Sequence, residues 1–174
     1  MVDSILALQN IYFKIILISS FPITELRFSI PYFILFEDVS WDVAFIFSII
    51  GNISIGIIII YVIGPVMYYL KKYSYFAKPI NYILRRTRTR SSVINNFKLL
   101  GLIIFVGIPL PFTGVWTGSL AAYMFSISKK KAVFGIVVGV LISGIIVTAV
   151  TLLGNEIWVQ FLENDLNKKL GIVK

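Results

Sequence analysis

Apolar residues run through this chain in long stretches, with most of the charge gathered between them. Val43 to Leu70 is 28 consecutive uncharged residues, roughly 42 Å of helix at about 1.5 Å per residue, against a hydrocarbon core of about 30 Å. Ala132 to Gly154 is another 23. Both predict transmembrane helices. Two other stretches are interrupted where a membrane helix should run on: FPITELRFSIP at Phe21 to Pro31 and IPLPFTGVWTG at Ile108 to Gly118, punctuated by Pro22, Pro31, Pro109, Pro111, Gly114 and Gly118. Non-helical backbone at membrane depth is tolerated only where protein or a water-filled cavity covers it, because each unsatisfied polar group costs several kcal/mol. Breaks of this kind predict a substrate or ion site.

The interrupted stretches are too short on either side of the break to cross a membrane. Ile15 to Thr24 and Phe28 to Phe36 are uncharged runs of ten and nine residues separated by Glu25 and Arg27. They predict a re-entrant hairpin entered from outside, in competition with a single kinked crossing from Ser4 to Phe36. Leu99 to Ser128 is 30 uncharged residues flanked by Lys98 and by Lys129, Lys130 and Lys131. A bend near its middle returns every flanking lysine to one side, which predicts a second hairpin entered from inside. A shift of 89 residues aligns Pro22 with Pro111, Thr24 with Thr113, Phe45 with Phe134 and Ser54 with Ser143, while the hairpin-to-helix junctions Ser40–Asp42 and Lys129–Lys131 carry opposite charge. The predicted fold is therefore an all-α integral membrane domain, an inverted repeat of a re-entrant hairpin plus a transmembrane helix. Repeat one spans about 5–70, a basic loop 71–98, repeat two about 99–154 and an amphipathic tail 155–174, with Ile157, Trp158, Phe161, Leu162 and Leu166 at helical spacing.

Composition agrees with a membrane class: 58% of residues are hydrophobic and the mean hydropathy is +0.92. Cysteine and histidine are both absent, which excludes disulfides, thiolate or imidazole metal sites and any catalysis by either side chain. No enzyme, metal or cofactor is expected. Residues 1–10, MVDSILALQN, have no basic stretch and no small-residue cleavage site, unlike a signal peptide. Lys71 to Lys98 holds eight basic residues and no acid, which places the loop in the cytoplasm and both termini outside a multi-pass cell-membrane protein. Its RRTRTR run reads as orientation and anionic-lipid contact rather than nucleic-acid binding. Tyr68, Tyr69, Tyr73, Tyr75 and Phe76 beside it form an interfacial aromatic belt. Two spans and two half-depth hairpins leave little protein to shield polar tips, so a homodimer is expected.

Six residues are the site candidates: Glu25, Arg27, Asn52, Thr113, Trp116 and Thr117. Glu25 is the one carboxylate within an apolar stretch, and desolvation disfavours the charged form of such a group, which makes it the candidate proton carrier. Three readings stay open for it: proton coupling, structural pairing with Arg27, or an interfacial, solvated pair. The pairing needs an extended tip, because residues two apart share a face in a strand but not in a helix. Arg27 can hold a phosphate or carboxylate through two parallel hydrogen bonds. Thr113, Trp116 and Thr117 offer hydroxyls and an indole N–H. Gly114 to Gly118 and the trio Gly135, Gly139 and Gly144 read as close helix packing, and Asn52 as a bridge or cap for a neighbouring helix.

ELRFSIP at Glu25 to Pro31, Gly51–Asn52 and IPLPFTGVWTG at Ile108 to Gly118 resemble the signature segments of the small multidrug export protein family, over roughly Leu6 to Leu153. That family resembles the wider DedA-like (VTT domain) membrane proteins. The family pattern favours glycine where this chain has Phe28 and Phe112. The resemblance implies a small secondary transporter, with proton-coupled export of a small molecule as the leading expectation. Its alternative is a lipid-phosphate flippase or scramblase, and the partners implied are the bilayer and an unidentified small substrate or lipid.

Overall fold

The computed structural model describes residues 2–70, 72, 94–110 and 113–169. Six α-helices and no strand lie among them: α1 (Val2–Ser20), α2 (Glu25–Phe36), α3 (Trp41–Leu70), α4 (Ile94–Gly107), α5 (Val115–Met124) and α6 (Lys129–Lys169). The helices α3 and α6 contain the long uncharged runs and are long and apolar enough to cross a membrane. Their outward faces are apolar as well: Ile58, Ile145 and Val150 are each more than half exposed. Exposed apolar residues of this kind suit a membrane or protein contact.

Small residues set the core. A Cβ on Gly56 would lie 2.5 Å from Val115 and 3.0 Å from Ile136, and one on Gly144 would lie 3.0 Å from both Phe45 and Ile49. These pairings run in opposite directions along the two chains, so α3 and α6 are antiparallel and in close contact. In the same way a Cβ on Gly139 would meet Val106 at 2.7 Å, which fastens α4 against α6.

Each interrupted segment folds back on itself. In the first, Lys14 Nζ lies 2.5 Å from Glu37 Oε1, and Ile15 and Phe33 are buried in one cluster. A single kinked crossing would hold these residues many turns apart. The hydrogen bond from Lys14, with a second from Tyr32, holds the Glu37 carboxyl below the usual carboxylate range. In the second, a Cβ on Gly118 of α5 would lie 2.5 Å from Val106 of α4. Gly118 is thus a packing residue inside α5 and not a helix breaker.

Other expectations are corrected. Pro31 lies inside α2, which runs unbroken to Phe36, so it does not end the hairpin; Pro65 lies likewise inside α3. Proline within a helix removes one backbone donor, and neighbouring helices can re-satisfy the freed carbonyl. The tail is not a separate element, because α6 continues for 41 residues to Lys169, about 60 Å at 1.5 Å per residue. Ser54 and Ser143, aligned in sequence, differ in environment: Ser54 is exposed and Ser143 is 1% exposed. Lys72 and Lys98 apart, the basic residues of 71–98 lie outside the described residues, as do Tyr73, Tyr75, Phe76, Pro111, Phe112 and residues 170–174; so do the side chains of Trp158, Phe161, Leu162 and Leu166.

Gly51 tests the packing. A Cβ there would overlap the Ser19 hydroxyl and lie 2.5 Å from the Ile16 carbonyl oxygen, whereas Gly64 and Gly101 have nothing within 4 Å. Gly51→Ala is expected to destabilise the detergent-solubilised protein by about 1–3 kcal/mol through overpacking. Gly64→Ala and Gly101→Ala should leave the thermal unfolding midpoint unchanged or raise it.

Candidate functional site at the two helix breaks

A helix that ends inside an apolar bundle leaves up to four carbonyls or four amides without partners. Here each hairpin supplies what the other lacks. The second break leaves the carbonyls of Ile108, Leu110 and Thr113 outside any helix. Arg27 of the first hairpin reaches all three: Nη1 donates to Leu110 O at 2.6 Å, while Nη2 donates to Ile108 O at 3.4 Å and to Thr113 O. The Thr113 hydroxyl donates in addition to Leu110 O at 2.8 Å and Ile108 O at 3.0 Å.

The opposite requirement arises at the start of α5. Its N-cap is Gly114, which has no side chain to accept from the first amides. Thr117 completes one half of a cap, its hydroxyl accepting from Gly114 N at 3.0 Å. The Glu25 carboxylate occupies the other half: the Val115 and Trp116 amides face it, with Trp116 N 3.5 Å from Oε1. A Cβ on Gly114 would overlap that carboxylate, so glycine is required there for close approach. An anion at a helix N-terminus is favoured by the amides and the helix dipole together.

The first break is closed reciprocally. Trp116 Nε1 donates to Ser20 O at 3.0 Å, Asn52 Nδ2 donates to Ser19 O at 3.0 Å, and the Thr24 hydroxyl donates to Ile18 O. The carbonyls at the end of α1 are thereby satisfied by α3, by α5 and by the turn itself.

Glu25 and Arg27 also face each other, with Arg27 Nη1 3.9 Å from Glu25 Oε2. The tip is not extended. The pair meets instead because Glu25, the first residue of α2, has a left-handed backbone (φ 44°), an uncommon conformation for a residue with a Cβ. Glu25 is 6% exposed, so little of it meets the cleft that it borders. Backbone strain of this kind costs on the order of 1–3 kcal/mol and concentrates at functional sites.

The two breaks border a cleft of about 650 Å³. Glu25, Arg27, Trp116 and Thr117 line it among Pro22, Ile23, Phe28, Pro31 and Pro109. A few polar groups in a mostly apolar cleft of this size suit a drug-sized ligand. Asn52 is not in the cleft. It lies behind the pair, fully buried, and lines an inner pocket with Glu25, Arg27, Val140 and Ser143. Thr113 acts through the second break and is not a cleft residue.

Residues 25–146 match the family described as "Putative small multi-drug export protein". The chain belongs to that family. The match begins at Glu25, so α1 lies outside it although the resemblance was read from Leu6. It contains every candidate residue named above, and with the two apolar helices α3 and α6 it identifies a membrane protein of an export family. No curated protein and no solved structure matches the chain.

Sequence reasoning missed Ser20, whose hydroxyl donates to Gly51 O at 3.1 Å, and the buried hydroxyls Ser29, Ser48, Ser143 and Thr148. The available signal was a hydroxyl residue inside an otherwise apolar helix. It has no period and therefore no predicted face.

Arg27→Ala should destabilise the protein by on the order of 1–3 kcal/mol, chiefly through the part-buried Thr113 O, because Ile108 O and Leu110 O keep the Thr113 hydroxyl beside them. Arg27→Lys should rescue little of this, because one ammonium cannot reproduce a planar fork that serves three carbonyls. Denaturant or thermal unfolding in detergent measures both. Wild-type stability in Arg27→Ala would refute the capping role.

Proposed function

We propose that this protein is a small secondary transporter that exports a drug-sized, largely apolar molecule across the cell membrane, driven by protons carried on Glu25. The observation that carries this reading is the reciprocal closure of two helix breaks around one cleft, with a buried carboxylate at the contact. Transporters built from inverted repeats hold substrate where discontinuous helices of the two halves meet.

Several features support the inverted repeat. An 89-residue offset carries Glu25, Phe36 and Trp41 onto Gly114, Phe125 and Lys130, each within one residue of the corresponding boundary of α5 or α6. Exchanging α1, α2 and α3 for α4, α5 and α6 also maps the set of packed helix pairs onto itself. Arg27 and Trp116 are equivalent positions under that offset, and each donates to carbonyls of the opposite break. In this reading both breaks lie at mid-depth, the basic loop 71–98 is cytoplasmic and both termini are outside.

Coupling follows from the chemistry of Glu25. Ionised, it caps α5 from α2 and ties the two hairpins together. Protonated, it keeps at most a weaker, neutral hydrogen bond to the amides, and the hairpins separate more easily across the cleft. A non-enzymatic role fits a site with one carboxylate in a chain lacking cysteine and histidine. The lipid-phosphate alternative is less well supported, because the terminal nitrogens of Arg27 are engaged with backbone carbonyls.

The test is uptake of a lipophilic fluorescent dye into reconstituted vesicles with and without a pH gradient. Gradient-driven uptake is expected for the unsubstituted protein and for Glu25→Asp at a reduced level, and none for folded Glu25→Gln. Gradient-driven uptake by folded Glu25→Gln would overturn the coupling role. A homodimer belongs to the same proposal, as cover for the polar tips. Crosslinking in mild detergent should yield a dimer band, and monomer alone would refute it.

A further inference from the structure

The buried polar side chains are distributed unequally about the breaks. Between the breaks and the end that carries Glu37 and Asp42, the core holds Ser29, Ser48, Asn52, Ser143, Thr148 and Thr151, all buried. Between the breaks and the opposite end, where α6 begins, the buried positions include Ile60, Leu102, Ala122, Ala132 and Ile136, with Ser119 the one buried hydroxyl among the described residues. Some of the first set satisfy one another or the backbone: Ser29 Oγ and Ser48 Oγ are 2.6 Å apart, and Thr151 donates to Val147 O at 2.8 Å.

Others have no partner. Asn52 Oδ1, Ser143 Oγ and Arg27 Nε are buried without a hydrogen bond, and all three residues line the inner pocket behind Glu25; Thr148 Oγ1, further along α6, is also unpartnered. Buried polar groups are normally satisfied, and each exception calls for an explanation. The inventory here is one free acceptor, one free N–H donor and two hydroxyls that can do either. A metal cation would satisfy the acceptor but be repelled by the guanidinium. Water satisfies all of them, and two to four polar partners are what a buried water requires. As it stands the inner pocket has no room for a water-sized sphere. Towards the end that carries Glu37 and Asp42, Thr151 opens on a groove of about 520 Å³ between α2 and α6, whereas the groove between α3, α5 and the start of α6 at the opposite end encloses about 90 Å³.

We propose that Asn52, Ser143 and Thr148 form a one-sided water path, which hydrates when α2 and α6 move apart and delivers protons to Glu25 only from the end carrying Glu37 and Asp42. The inference rests on the reading of Glu25 as proton carrier. Among the described residues Arg27 is the one charged group facing Glu25; α3, α4, α5 and α6 present Asn52, Val106, Val115 and Ser143 to the same pocket. The path therefore gives the site a direction that its near-symmetric helices do not.

The chain has no cysteine, so single cysteines at Ser143 and Thr148, and at Ala132 and Ile136 as apolar controls, can be exposed in sealed vesicles to a small charged methanethiosulfonate on one face at a time. Labelling at 143 and 148 at least tenfold faster than at 132 and 136, and only from the face carrying Glu37, is expected. No labelling at 143 and 148, equal labelling at the controls, or entry from the opposite face would overturn the path. Ser143→Ala and Thr148→Val add a second readout: removal of unpartnered hydroxyls should leave the unfolding midpoint unchanged or higher while lowering gradient-driven dye uptake at least tenfold. A lowered midpoint with undiminished uptake assigns them a structural role and refutes the path. The labelling needs no proton gradient, so uptake indifferent to pH in the unsubstituted protein would overturn the coupling of Glu25 while leaving labelling to decide the water path.

Discussion

A polypeptide that leaves the helix inside an apolar bundle uncovers carbonyls at one side of the break and amides at the other, with no water to receive them. The remainder of this structure depends on how those groups are paired. One break could be covered by its own turn, as Thr24 and Thr113 partly do. Two breaks facing each other allow a more complete solution, in which donors from one hairpin meet carbonyls of the other and the Glu25 carboxylate meets the amides at the start of α5. The hairpins are thus fixed to each other by polar contacts, on a scaffold where α3 and α6 are held by close packing at glycines and by the apolar core.

This pairing explains why ionisable residues persist where they are costly. Intramembrane charge is rare and usually marks function, yet here Glu25 and Arg27 have structural duties as well. The structural duty is compatible with the proposed one, because a contact that depends on the ionisation of one carboxylate is sensitive to a proton. Arg27 remains charged and holds the second break in either state. In the proposed mechanism Glu25 is the member whose hold on its partners changes; its left-handed backbone keeps it where the α5 amides are.

Near-symmetry of the helices and asymmetry of the cavities together bear on direction. The packed helix pairs correspond between halves, but the groove beside α2 and α6 is several times larger than its counterpart beside α3 and α5. In the proposed transporter such unequal halves would serve an alternating mechanism, since exchanging their conformations exchanges the open side. The buried hydroxyls follow the open side and end at the breaks.

The sequence by itself determined the membrane class, the two long helices and the position of the breaks, because uncharged run length and proline–glycine punctuation act locally and need no partner. It did not determine Pro31 and Gly118 as interior helix residues, since whether a proline or glycine ends a helix depends on what satisfies or fills the space beside it. Nor did it reveal that Arg27 serves carbonyls more than 80 positions away, that Gly114 is glycine because a carboxylate from α2 fills its Cβ position, or that Asn52 lies behind the cleft and not in it. Those facts arise between elements: a hydrogen bond requires donor and acceptor within about 3 Å, and only the packing of both α2 and α5 on α3 and α6 brings the two breaks that close.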